Sequence, residues 1–167
     1  MNNHRTPSQR IVLPLMVVFT LLFYGLPTQA QSEIVIAGKT DMSANGPVHL
    51  SIDAFEALAP QTVIKTGTPW HVETTFSGLS GADFVRIAGV HGDELIVRAI
   101  NDYQTTIPVI DLVERGVLFV TRMNGKRIGI REKGPVFVIY PFDQHPELKT
   151  EVYIGRSIWQ IGKITAR

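Results

Sequence analysis

The sequence predicts an α+β fold with a predominantly β core. Apolar, β-branched runs of strand length recur along the chain and are bounded by Gly, Pro and Asn. The helical patterns between them are short, and two of them open on a serine able to cap a helix. Apolar residues make up 44 % of the 167, with 14 Gly and 10 Pro, which suits one loop-rich globular domain with a core of its own.

Residues 1–30 are expected to lie outside this domain. His4, Arg5 and Arg10 form a basic start, Ile11 to Leu26 is an apolar run interrupted by Pro14 and Gly25, and Thr28-Gln29-Ala30 ends on a small residue. That is the pattern of a secretory signal peptide cleaved after Ala30. An uncleaved anchor is the rival reading, because the apolar run approaches the length of a membrane span. Glu33 to Ala37 then reads as a first strand ended by Gly38, and Gly46-Pro47 as a turn. Ser51 caps a short helix carrying Ile52, Phe55 and Leu58, which Pro60 stops.

Thr62 to Thr66 is a strand whose pattern Gly67-Thr68-Pro69-Trp70 breaks. Ser80-Gly81-Ala82-Asp83 fits a capping box, opening a helix with Ala82, Val85 and Ile87-Ala88 inward and Gly89 past its end. Glu94 to Ile100 is a strand, and Pro108 to Arg115 a one-to-two-turn helix stopped by Gly116. Val117 to Arg122 and Arg127 to Ile130 flank Asn124-Gly125, a strong hairpin signal. Pro135 to Tyr140 is an apolar strand, Phe142 to Gly155 a long polar irregular loop, and Ile158 to Thr165 a closing strand.

Several chemistries are excluded early. The chain has no cysteine, so disulfides, Cys-ligated zinc, Fe–S clusters and thiol nucleophiles are out. None of the five histidines stands three or four residues from another, there is no G-x-S-x-G, and no glycine-rich phosphate loop occurs. His71-Val72-Glu73 matches the H-x-E of zinc deaminases but lacks their cysteines. Without residues 1–30 the chain holds 14 Lys and Arg against 15 Asp and Glu, a net charge of −1. That is no electrostatic footprint for nucleic acid.

The polar trio Asn101-Asp102-Tyr103 follows a strand, a place where loops on a rigid scaffold carry function, although an Asx-type turn would use the same residues. Trp70, behind a proline, either plugs the core or offers a face for stacking. Arg122, Arg131 and Arg156 are either solvated charges or donors to a planar ligand.

Six short motifs stand in a recognisable order. They are Thr68-Pro69-Trp70, Phe76-Ser77-Gly78, Asn101-Asp102-Tyr103 with Ile107-Pro108 and Asp111, Met123-Asn124-Gly125-Lys126, Gly134-Pro135, and Ser157-Ile158-Trp159. In this order they resemble the oxidoreductase molybdopterin-binding domain family, the sulfite oxidase fold, in its small exported form. The resemblance covers nearly all of residues 31–167 and implies a compact α+β fold with mixed sheets and a pterin pocket in loops at one end. In the family's enzymes a cysteine thiolate holds molybdenum, a soft ligand suited to that metal. The corresponding stretch here, about Thr66 to Trp70, has none.

The resemblance therefore implies an exported pterin-binding protein, without molybdenum, that senses its ligand rather than catalysing a reaction. Its partner would be the periplasmic domain of an inner-membrane sensor such as a diguanylate cyclase/phosphodiesterase. The alternative is a molybdopterin-dependent oxidoreductase or its subunit. For pterin binding the implied residues are Thr68, Trp70, Asn101, Asp102, Tyr103, Arg122 and Arg156. Trp70 or Tyr103 would stack, Asp102 would pair with the amino-pyrimidine edge, Asn101 and Thr68 would hydrogen-bond the ring or its substituents, and the arginines would meet its oxygens.

Overall fold

A computed structural model of the chain describes residues 32–167. The export segment expected at 1–30, with its cleavage point at Ala30, lies outside the described residues. Among the described residues no helix is long and apolar enough to cross a membrane.

In chain order the elements are β1 (Glu33–Gly38), β2 (Val48–Ser51), α1 (Ile52–Glu56), β3 (Thr62–Thr68), β4 (His71–Ser80), α2 (Gly81–Ala88) and β5 (Glu94–Ala99). There follow β6 (Gln104–Pro108), α3 (Val109–Glu114), β7 (Leu118–Met123), β8 (Lys126–Arg127), β9 (Phe137–Ile139), α4 (Glu151–Arg156) and β10 (Ile161–Ala166). The strands form two sheets. One runs β2-β1-β10-β5-β6, with only the β1–β10 pair parallel. The other runs β3-β4-β7, with β8 and β9 sharing the far edge of β7. The expected α+β class with mixed sheets and short helices is what the chain forms.

The two-residue period of a strand explains where the cores lie. In β7, Phe119 joins a core with Ile34, Ile36, Phe55, Phe84, Leu95 and Ile164, while Leu118 and Val120 face a second core with Phe76 and Phe137. Strand β9 divides in the same way, Val138 to the first core and Phe137 with Ile139 to the second. Both faces are thus covered, which is why Pro135 to Tyr140 reads as an unbroken apolar run. Trp70 and Trp159 are half-buried over the second core.

Local chemistry accounts for the elements the sequence foretold. Ser51 Oγ accepts the Ala54 N–H at 3.1 Å and Ser80 Oγ accepts the Asp83 N–H at 3.0 Å, so each serine satisfies an orphan helix donor. Gly89 closes α2 at φ 61°. Asn124 and Gly125, at φ 50° and 77°, make the turn joining β7 to β8.

Other expectations need correcting. Strands β2, β4 and β6 lie where the sequence pattern predicts none, and β3 runs on to Thr68. The α2 helix buries Gly81, Phe84 and Ala88, leaving Ala82 exposed; the aromatic at Phe84, not the small Ala82, reaches the core. The strand expected over Arg127 to Ile130 stops at Arg127, because a 3₁₀ turn takes Ile130–Glu132. The closing strand starts at Ile161 rather than Ile158, since Gln160 sits at φ 55°. The loop expected from Phe142 to Gly155 contains a 3₁₀ turn, Pro146–Leu148, and most of α4.

Candidate functional site

Two neighbouring cavities open where β3–β4, β5–β6 and α4 converge, one of about 380 Å³ and one of about 300 Å³. The larger takes Trp70 from the β3–β4 tip and Ala99, Asn101 and Tyr103 from the β5–β6 turn. Ile154 and Gly155 of α4 close one side of it, and Ser157, Ile158 and Trp159, entering β10, close another. The smaller is lined by Gly67, Thr68 and Pro69 against Phe142, Asp143 and Lys149. Ile154 belongs to both.

The larger cavity is aromatic. Trp70 and Trp159 meet edge to face at 5.1 Å, and Phe137 backs both, 5.9 Å from Trp70 and 6.2 Å from Trp159. The Lys133 ammonium stands 4.0 Å from the Trp159 ring centre and 5.4 Å from that of Trp70, within reach of a cation–π attraction. Trp70 is fixed from below by a hydroxyl. Thr68 Oγ1 accepts the N–H groups of Trp70 at 3.2 Å and His71 at 3.0 Å, and lies 3.2 Å from His71 Nδ1. With its acceptor sites taken, the hydroxyl is left to donate to Nδ1, an arrangement that a neutral His71 meets with its proton on Nε2. Burial, and then the nearby Lys133 charge, hold the His71 pKa below its ordinary value.

The smaller cavity is polar at its rim. The Asp143 carboxylate accepts the Gly67 N–H at 2.5 Å and Lys149 Nζ at 2.8 Å. The Lys149 hydrogen bond, then the Gly67 N–H, hold the Asp143 pKa below the usual carboxylate value.

Of the seven residues singled out in the sequence, Trp70, Asn101 and Tyr103 share the larger cavity, and Thr68 lines the smaller with its hydroxyl engaged at the hairpin tip. The other three point elsewhere. Asp102 occupies a left-handed turn position at φ 67°, its side chain 89 % exposed and 3.8 Å from Arg98. Asn101 Oδ1 accepts the Tyr103 N–H at 3.2 Å, so the trio also forms the Asx-type turn that was its alternative. Arg122, near the end of β7, pairs with Glu56 at 3.0 Å beside α1. Arg156 turns from the cavity to the buried Asp111 at 2.7 Å.

Sequence reasoning passed over Trp159, Lys133, Ile154, Asp143 and Lys149. Trp159 could have been found, as it is the only other tryptophan and stands in one of the six motifs. The rest carry no local signal, because long-range packing alone brings them to the cavities.

No family model and no curated protein matches the chain. Among solved structures the chain is similar to the sulfane dehydrogenase SoxCD from Paracoccus pantotrophus, with a TM-score of 0.60 at 14 % identity. That match covers 80 % of this chain and 37 % of the other, so the chain spans little more than a third of the dehydrogenase's length. At such identity the similarity speaks to fold and to no residue's role: the chain shares an α+β architecture of mixed sheets and short helices with that dehydrogenase.

Proposed function

We propose that this chain binds a pterin-type planar heterocycle, without molybdenum, in the cavity between Trp70, Tyr103 and Trp159, and acts as a ligand-sensing subunit rather than an enzyme. The observation that carries the reading is that its only two tryptophans wall one cavity together, with Asn101 and Tyr103 beside them. A flat polar heterocycle needs an aromatic wall and a few hydrogen-bonding groups, and this cavity offers both. Asn101 can donate and accept, and Tyr103, 54 % exposed, brings a hydroxyl that can do the same. The Lys133 ammonium lies within cation–π distance of both electron-rich indole rings.

The metal of a full molybdopterin cofactor does not fit these residues. No sulfur ligand exists in the chain beyond its four methionines, and the groups nearest Thr66 to Trp70 are hydroxyls, amides, the His71 imidazole and the ion-paired Asp143. Molybdenum would find no soft thiolate ligand there. The fold shared with a dehydrogenase favours a second reading, a molybdopterin oxidoreductase subunit, which elemental analysis separates from the first.

The basic, apolar, small-residue order of residues 1–30 supports export, and a sensing role outside the cytoplasm needs a membrane partner to carry the signal inward. Such a partner must bind the loaded and empty forms with different affinity. Fluorescence titration with oxidised and reduced pterins, repeated with a candidate partner's periplasmic domain, tests both halves. Saturable quenching whose midpoint shifts with the partner is expected. Quenching with no such shift leaves a carrier, and no quenching removes the site.

A further inference from the structure

Helix α4 contributes the wall common to both cavities and meets the core through two half-buried side chains, Tyr153 and Ile154. None of its six residues is buried, and Thr150 ahead of it makes no side-chain capping bond. A knot of polar and aromatic groups at its C-terminal end adds to that attachment. Asp111 of α3 is 3 % exposed and takes three donors: Arg156 Nη1 at 2.7 Å, Tyr140 Oη at 3.0 Å and Arg115 Nε at 3.0 Å. The Tyr153 ring, from α4, packs 5.3 Å from Tyr140, and the guanidinium groups of Arg115 and Arg156 each lie 5.4 Å from its centre.

We propose that Asp111 is a positioning residue for the binding site: through Arg156 and Tyr153 it seats α4 against the cavities, and releasing that clasp opens both at once. The proposal rests on these cavities being the ligand site, but the clasp itself can be tested without any ligand. Loss of Arg156 leaves Asp111 to Arg115 and Tyr140 alone and cuts its direct link to α4, which is then free to move outward. Ile154 moves with it, and that side chain belongs to both cavities. Elements held by few buried contacts are the ones that open locally.

The two tryptophans report the outcome, since both line the larger cavity alongside α4. Arg156→Gln, Asp111→Asn and Arg156→Lys are compared in the full chain with Arg127→Gln, which breaks the Asp53 and Glu56 ion pairs well away from α4. Acrylamide quenching of the ligand-free proteins is measured where far-ultraviolet circular dichroism shows each to be folded, with hydrogen exchange read over 151–157.

Arg156→Gln and Asp111→Asn should raise quenching about twofold and speed exchange in α4, as a local opening does. Arg156→Lys should recover part of the protection, and Arg127→Gln should quench like the wild type. If Asp111→Asn fails to fold, Arg156→Gln carries the test alone. A folded Arg156→Gln with wild-type quenching and exchange overturns the proposal, as does equal opening in Arg127→Gln. Raised quenching in a protein that binds no pterin would leave the clasp standing and remove the pterin reading.

Discussion

Replacing Thr68 by valine separates two roles that one hydroxyl could play. The resemblance assigns Thr68 to the ligand, whereas its Oγ1 is occupied by the N–H groups of Trp70 and His71 and by His71 Nδ1. Valine keeps the shape and removes the acceptor. Each of the two accepted hydrogen bonds is worth about 1 kcal/mol net, and the site is partly open to water, so the loss is about 1–2 kcal/mol. For a domain of this size that lowers the melting temperature by roughly 3–8 °C. Pterin affinity should fall with the stability of the hairpin tip, because Trp70 is less firmly held, and should recover as temperature is lowered. Differential scanning calorimetry and fluorescence titration on the same variant give both numbers. A Thr68→Val protein with wild-type stability and no binding would refute the reasoning and put the hydroxyl on the ligand itself.

Acid should loosen the same tip. His71 has a folded pKa below its ordinary value of 6.5, so the unfolded chain binds the proton more readily; its contribution to stability is complete above that pH and is lost as pH falls below it. Urea midpoints measured between pH 7.5 and 5 should decline, and His71→Phe should flatten that part of the profile. Gly78→Ala should cost roughly 1–3 kcal/mol or more by overpacking, because an added Cβ would meet the Phe119 carbonyl oxygen and the β4–β7 ladder shifts register there; urea denaturation reads it directly. Arg122→Gln breaks the pair with Glu56, and it should lower stability while leaving pterin affinity at the wild-type value in the same titration.

Much of the scaffold is legible in residues that act locally. Ser51 and Ser80 cap helices, Gly89 and Gly116 end them, and Asn124-Gly125 turns a hairpin, because each effect is set within four residues. Strand β4 escapes that reading. His71 to Thr75 is polar apart from an exposed Val72, and what makes the stretch a strand is pairing with β3, β7 joining only from Phe76 onward. Helix α4 escapes it too, being six residues without a capping side chain, anchored by Arg156 reaching 45 positions back to Asp111. The site divides the same way. Trp70, Asn101 and Tyr103 were visible as aromatics and turn formers, and they do share a cavity. Asp102 and Arg122 were expected at the ligand too, yet a left-handed turn points one to solvent and an ion pair beside α1 takes the other. Lys133, Asp143 and Lys149 come close to the cavities only through the fold.

The most direct measurement is a titration of the folded, full-length protein with a reduced pterin, following its tryptophan emission, paired with elemental analysis of the protein as purified. Both fluorophores wall the proposed cavity, so a bound heterocycle should quench them saturably at one ligand per chain, and Trp70→Ala should weaken that binding by about tenfold or more through lost stacking. Molybdenum should be well below one atom per chain. Emission that never saturates, or a stoichiometric metal in a protein without a single cysteine, would contradict the reading of this chain as a metal-free pterin sensor.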